Sequence, residues 1–153
     1  MGEKDLEEAK KILDLMPYAE PFRFIDEISS VNEEGITGFY TFQSHSDFYK
    51  GHFPGFPLTP GVILTECMAQ IGMVALGIHL IGTDTIDPEN PVRFAFTSSE
   101  VKFLDMVLPG EKVKVESVKR LYRMGVLRCE VKLYNEAGKV AAEGKLAGYR
   151  LKE

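Results

Sequence analysis

The longest apolar run in the chain, residues 62–82, predicts a buried helix. Apolar side chains fall on every face of its helical wheel, which is typical of a helix enclosed by protein. A membrane-spanning helix has a similar length, but Glu66, Gln70 and His79 are polar groups that the hydrocarbon core of a bilayer disfavours. We therefore expect a core helix and no membrane insertion.

Shorter apolar segments on both sides of this helix predict strands. In residues 126–134 apolar and polar positions alternate with a period of two, which indicates a sheet with one face on a core and the other facing water. An amphipathic helix comes first, at residues 5–16, with Leu6, Ala9, Leu13 and Met16 at helical spacing. The predicted strands are residues 22–31, 36–42, 92–107, 112–123, 126–134 and 139–151.

This order of elements predicts an α+β fold in which an antiparallel sheet curls around the long apolar helix. A chain of 153 residues with 44% hydrophobic content suits a single domain, residues 1–153, with a full core. One sheet against one helix leaves an edge strand exposed, and pairing with a second copy of the chain would cover it. We therefore expect a symmetric dimer.

Composition narrows the classes of function. A net charge of −5 and a pI near 5.3 argue against a nucleic-acid binder, which needs a basic face. Cys67 and Cys129 form neither a disulfide framework nor a zinc-binding pattern, so they indicate small core residues in a reducing compartment. The N-terminus lacks the apolar run of a signal peptide. We expect a cytoplasmic protein without a bound metal.

The candidate chemistry lies in the stretch from Gly51 to Gly61, which contains three prolines and three glycines and leads directly into the apolar helix. Such a turn holds one conformation and allows close approach to a ligand. His52 can exchange protons near neutral pH, and apolar surroundings favour the neutral, proton-donating form of Glu66. The start of the helix offers free backbone N–H groups. Taken singly, His52 fits an ordinary loop residue and Glu66 a glutamate that favours the helix dipole.

These residues resemble the signature of the bacterial 3-hydroxyacyl-acyl-carrier-protein dehydratases of fatty acid synthesis. Further landmarks of that family follow the same order, so the resemblance covers most of the chain. The matching segments are His52-Phe53-Pro54-Gly55, Pro57, Pro60-Gly61-Val62, Glu66-Cys67-Met68-Ala69-Gln70, Pro21-Phe22-Arg23-Phe24-Ile25-Asp26, Val101-Lys102-Phe103 and Pro109-Gly110-Glu111.

The resemblance implies the hotdog fold and the cofactor-free dehydration of (3R)-3-hydroxyacyl thioesters, carried on acyl carrier protein, to trans-2-enoyl thioesters. It assigns His52 as the base at the carbon next to the carbonyl, Glu66 as the group that handles the leaving hydroxyl, and the Gly61 N–H as the donor to the carbonyl oxygen. It also implies that the site forms between two chains and that dimers assemble further into hexamers. Glu66, where a related isomerising dehydratase has Asp, favours simple dehydration.

An acyl chain would occupy an apolar tunnel, although plain core packing is the commoner role for side chains like those of its candidate walls. Those candidates are Phe53, Val62, Ile63, Phe94 and Phe96.

The chain departs from the family at two places. It has Tyr18-Ala19 where a His-Arg pair is usual, and Leu104-Asp105-Met106 where arginines would meet the acidic carrier protein. A basic rim has other candidate sources, for which an ordinary solvated role is an equal alternative: Lys50, Arg93, Lys102, Lys119 and Arg120. Two other functions stay open: an acyl thioesterase in which Glu66 activates water, and a non-catalytic acyl-binding partner subunit.

Overall fold

The computed structural model describes residues 2–152, and its centre is a helix that spans Gly61–Ile81. A six-stranded sheet, antiparallel throughout, lies against this helix, as predicted. Its order is β1-β2-β4-β5-β6-β3, so β1 and β3 are the edges. The strands are β1 Glu27–Asn32, β2 Gly35–Thr41, β3 Phe94–Phe103, β4 Lys112–Arg123, β5 Val126–Tyr134 and β6 Val140–Arg150. The other helices are α1 Glu3–Leu15, the short α2 Phe48–Gly51 and a 3₁₀ turn, Thr83–Thr85.

The central helix is buried along most of its length. The helix is long and apolar enough to cross a membrane. However, 72% of an apolar stretch of 18 residues within it is buried in the fold, which is typical of a core helix. Its middle, Gln70–Ala75, is π-helical, and the carbonyl of Gly72 there accepts a hydrogen bond from Ser117 Oγ at 2.8 Å. The expectation of complete enclosure is wrong at the first turn, because Val62 is 76% exposed.

The sheet presents an apolar face to this helix through β2, β4, β5 and β6. In β5 the alternating residues Leu127, Cys129, Val131 and Leu133 are buried, whereas the residues between them reach solvent. Cys67 and Cys129 are free, buried thiols, as predicted from their apolar surroundings. The period-two pattern therefore identified the core face of the sheet correctly.

The predicted bounds of the first strand are wrong at its start. Residues 22–26 lie outside the strand, and two of their backbone groups bond to the side chain of Gln70 on the central helix. The Phe24 N–H donates to Gln70 Oε1 at 2.7 Å, and Gln70 Nε2 donates to Phe22 O at 3.0 Å. The third strand is shorter than predicted. β3 ends at Phe103, and the N–H of the next residue, Leu104, donates a hydrogen bond to Ala141 O.

Helix α1 packs on the core and does not stand apart from it. Ala9, Ile12 and Leu15 are buried, whereas Leu6, which the helical spacing placed on the apolar face, is 57% exposed. Glu8 ties α1 to the far end of the central helix, since its carboxylate contacts His79 Nδ1 at 2.5 Å and accepts a hydrogen bond from Thr83 Oγ1 at 2.8 Å.

Candidate active site

His52 lies at the mouth of a loop that folds back on itself. Helix α2 ends at Gly51, and the His52–Phe53 peptide that follows is cis. Phe53 and Phe56 exchange two backbone hydrogen bonds of 2.9 Å, and the Leu58 N–H donates to His52 O at 2.8 Å. The loop between α2 and the central helix is therefore a compact, internally bonded turn, as its prolines and glycines predicted.

The imidazole of His52 has a defined hydrogen-bond partner. Its Nδ1 lies 2.9 Å from Leu58 O, and a carbonyl oxygen can only accept, so Nδ1 carries the hydrogen. In the neutral ring Nε2 then holds the lone pair and is free to take a proton. The ring also stacks on Phe53, with centroids 4.2 Å apart. This arrangement suits a general base that acts through Nε2.

The start of the central helix supplies the hydrogen-bond donors. Pro60 O accepts the N–H groups of Ile63 and Leu64, at 2.9 and 3.1 Å. Within residues 2–152 the N–H groups of Gly61 and Val62 have no acceptor, as expected for the first turn of a helix. Gly61 lies close to Phe103, since a Cβ at position 61 would meet carbons of its ring at 3.1 Å. Such free N–H groups fit an oxygen that gains negative charge.

Glu66 lies one and a half turns into the same helix and is half-buried. Burial raises the pKa of its carboxyl, while the hydrogen bond from Gln70 Nε2 to Glu66 Oε2, at 2.9 Å, lowers it. Gln70 is fully buried and its orientation is fixed by the backbone, because its Oε1 faces the Phe24 N–H. Its Nε2 can only donate, so Oε2 of Glu66 is an acceptor and the proton of the neutral acid sits on Oε1.

Two residues near Glu66 were not assigned a role from the sequence. Gln70 follows Glu66 by four positions, the helical spacing that brings side chains together, and this spacing was the available signal. Tyr18 has no such signal. Burial and then the charge of Glu66 raise the pKa of Tyr18 to about 12, so a neutral phenol stands near the carboxyl.

The five tunnel candidates divide into two groups. Phe53, Val62 and Phe96 are exposed, whereas Ile63 and Phe94 are half-buried and pack against the core. Clefts of about 270 and 650 Å³ lie among charged side chains of the sheet strands and include none of the five. The tunnel therefore stays a prediction.

His52 and Gly61 lie at the two ends of one loop, and their joint role in a site stays a prediction, as does that of Glu66. Within residues 2–152 no hydrogen bond connects the side chains of His52 and Glu66: His52 bonds to Leu58 and Glu66 to Gln70. One chain thus holds an imidazole and a carboxyl, each bonded to its own partner.

Residues 16–145 match the FabA-like domain family. The chain belongs to this family. Among its relatives is a 3-hydroxyacyl-[acyl-carrier-protein] dehydratase FabZ from Nitratidesulfovibrio vulgaris, 36% identical over 141 residues that cover 90% of this chain and 83% of the relative. The dehydratase of the same name from Bacillus velezensis is 33% identical over 71% of this chain and 74% of its own length.

Solved structures show the hotdog fold that the FabA-like resemblance implied. The dehydratase heterocomplex ApeI:P from Xenorhabdus doucetiae superposes with a TM-score of 0.72 over 93% of this chain and 91% of that chain, at 15% identity. At this identity the likeness concerns the fold alone.

Proposed function

We propose that this protein dehydrates (3R)-3-hydroxyacyl thioesters, carried on acyl carrier protein, to trans-2-enoyl thioesters in the cytoplasm, as part of fatty acid or related acyl-chain synthesis. The observation that carries the proposal is the His52 imidazole, whose Nδ1 is committed to Leu58 O while Nε2 stays available beside a helix start with a free N–H at Gly61. The family relationship supports it, because the relatives above are named as dehydratases of this class.

In the proposed reaction His52 Nε2 removes a proton from the carbon next to the thioester carbonyl. The electron pair of that C–H bond forms the new double bond as the bond from the third carbon to its hydroxyl oxygen breaks. Glu66 delivers its proton to the departing oxygen, which leaves as water, and the Gly61 N–H stabilises charge on the carbonyl oxygen. His52 then returns its proton, and Glu66 regains one, before the next turnover.

The acid and the base belong to different chains in this proposal, within a symmetric dimer that assembles further into a hexamer. Its support is the lack of a bond between His52 and Glu66 in one chain, together with apolar side chains left exposed near the helix start. Phe53, Val62, Phe103 and Leu104 are 49%, 76%, 52% and 55% exposed. Such a patch is typical of a surface that another protein covers.

Subunit mixing tests the shared site. His52→Ala and Glu66→Ala chains, each inactive alone, are mixed under conditions that exchange subunits, and heterodimers are verified by differential tags. One of the two sites in each mixed dimer then has both native groups, so we expect activity to return to about half that of the native dimer. Verified heterodimers without activity would contradict a site shared between chains.

The carrier protein is the second part of the proposal. Two of the residues suggested for a basic rim have acidic neighbours, since Lys50 pairs with Asp47 at 3.3 Å and Arg120 pairs with Glu130. Lys102 and Lys119 remain candidates for steering an acidic carrier. Lys119→Glu should then raise KM for the carrier-linked substrate and leave KM for the CoA thioester unchanged.

Substrate assays separate the competing functions. The purified protein receives 3-hydroxyacyl chains of graded length on acyl carrier protein and on CoA. A conjugated enoyl thioester, detected by its absorbance, supports the dehydratase. Free acid and thiol without that absorbance would instead identify a thioesterase, and tight binding without turnover a partner subunit.

A further inference from the structure

The loop that carries His52 is closed by a side-chain bond between two buried residues. Tyr49 OH and Thr59 Oγ1 lie 2.6 Å apart, and the two residues are 5% and 4% exposed. Burial raises the pKa of Tyr49, so the phenol stays protonated at neutral pH. A hydrogen bond between two buried hydroxyls is stronger than one in water, so this pair links the two segments firmly.

The two residues occupy special positions along the chain. Tyr49 lies in α2, whose Phe48 carbonyl accepts the N–H of His52 at 3.0 Å. Thr59 lies between Leu58, which binds the imidazole, and Pro60, whose carbonyl begins the central helix. The Thr59 N–H also donates to Val107 O at 3.0 Å, which anchors this end of the loop to the rest of the fold.

We infer that the Tyr49–Thr59 hydrogen bond positions the catalytic base relative to the helix start, and so fixes the distance between His52 Nε2 and the Gly61 N–H. The inference rests on the function proposed above. Tyr49 and Thr59 are positioning residues that act through His52 and Gly61.

The mechanism of positioning follows from the connections. Leu58 holds both the ring and the backbone of His52, and Thr59 is the next residue. A displacement of Thr59 therefore moves the preceding carbonyl, Leu58 O, and tilts the imidazole. It also moves Pro60, which follows Thr59, and with it the N–H of Gly61. A misplacement of 1 Å between reacting groups can cost about 10² in rate.

Three variants separate positioning from stability. Thr59→Val and Tyr49→Phe each leave one buried hydroxyl unpaired, which lowers stability, whereas the double variant leaves none and should regain thermal stability. We expect all three to lose about tenfold or more in kcat with KM within about twofold, because the chemical step and not binding is affected. Thr59→Ser keeps the hydroxyl and should retain the kcat of the native protein.

Thr83→Val is the matched control, because it removes a hydroxyl that bonds Glu8 at the other end of the central helix. It should leave kcat unchanged. A double variant that regains both stability and kcat, or one that never loses kcat, would overturn the inference, since the bond would then serve folding alone.

The tautomer of His52 gives a readout that does not depend on turnover. Nitrogen-15 NMR of the native protein should show the hydrogen on Nδ1, and Thr59→Val should shift the population towards the Nε2–H form as the Leu58 contact loosens. If the native protein dehydrates no substrate, the proposed function fails, and the tautomer still tests the positioning. An unchanged tautomer in Thr59→Val and in the double variant would overturn it.

Discussion

The half of the site that holds His52 and the half that holds Glu66 are built in different ways. The hydrogen bonds that orient His52 are local, since its partners Phe48 and Leu58 lie within six positions of it. Glu66 is oriented by Gln70, and Gln70 in turn bonds to Phe24 and Phe22, which lie 46 and 48 positions before it in the chain. The geometry of the imidazole therefore depends on turn chemistry, and that of the carboxyl depends on the folded path of the whole chain.

Removal of the base should have the largest effect on turnover. His52→Ala deletes the proposed proton acceptor, and one positioned proton-transfer group contributes a factor of about 10² to 10⁴. We expect a loss of that size in kcat at nearly native stability, because the loop keeps its backbone hydrogen bonds. Steady-state kinetics and a denaturation curve measure the two quantities. A kcat within about threefold of the native value would remove His52 from the chemistry.

Gln70→Leu should break the long-range half and lower both stability and activity. It leaves the buried Phe24 N–H without its partner, which costs about 1–3 kcal/mol, and it removes the part-buried bond to the Phe22 carbonyl. It also removes the bond that lowers the pKa of Glu66. Urea denaturation should show the loss, and the limb of the pH–rate profile that follows Glu66 should move to higher pH.

Gln43→Leu, at an exposed glutamine, is the matched control for Gln70→Leu and should leave both quantities near native. Native stability in Gln70→Leu would contradict the view that the acid depends on long-range bonds.

Gly61→Ala should lower activity without lowering stability, in contrast to Gln70→Leu, which should lower both. The added Cβ meets the Phe103 ring at 3.1 Å, so either the ring or the helix start must shift by a few tenths of an ångström. We expect about a tenfold loss in kcat from a displaced donor. Stability should hold, because alanine gives the unfolded chain less backbone freedom than glycine does. Less conformational entropy is then lost on folding.

Gly51→Ala is the control for Gly61→Ala, because a Cβ at position 51 would have open space around it. It should retain native kcat. Equal losses in the two variants would place the effect in general loop rigidity and not at the helix start.

The two halves also differ in how far the sequence predicts them. The bounds of β4 and β5 agree with the predicted segments, because residues in β5 alternate strictly and the turn between the strands is short. The motif located His52, Gly61 and Glu66. The sequence did not identify Gln70 as the partner of residues 22–26, because a backbone that bonds to a side chain on a distant helix leaves no local pattern. The hydrogen bond from His52 Nδ1 to Leu58 O was missed for a similar reason. Every residue has a carbonyl oxygen, so the residue type gives no sign of which one the imidazole binds.

The smallest expected effect concerns pH and the stability cost of the acid itself. Burial raises the pKa of Glu66 above its ordinary value of 4.5, so the folded protein binds this proton more tightly than the unfolded chain does. Well below pH 4.5 the carboxyl is neutral in both states and imposes no penalty. As the pH rises, the unfolded chain ionises first, so the free energy of unfolding falls until the pH passes the pKa of the folded state. Glu66→Gln removes this titration and should therefore gain stability relative to the native protein as the pH rises from 4 to 8.

Thermal denaturation at several pH values measures the stability difference, with Glu100→Gln, at an exposed position on β3, as the matched control. In Gln70→Leu the pKa of Glu66 rises further, because the hydrogen bond that lowers it is lost. The fall in the free energy of unfolding should then continue to higher pH than in the native protein. A stability difference between Glu66→Gln and the native protein that stays constant across this range would show that the fold does not favour the neutral acid. The long-range half would then hold a carboxylate, and the proton for the leaving hydroxyl would have to come from another group.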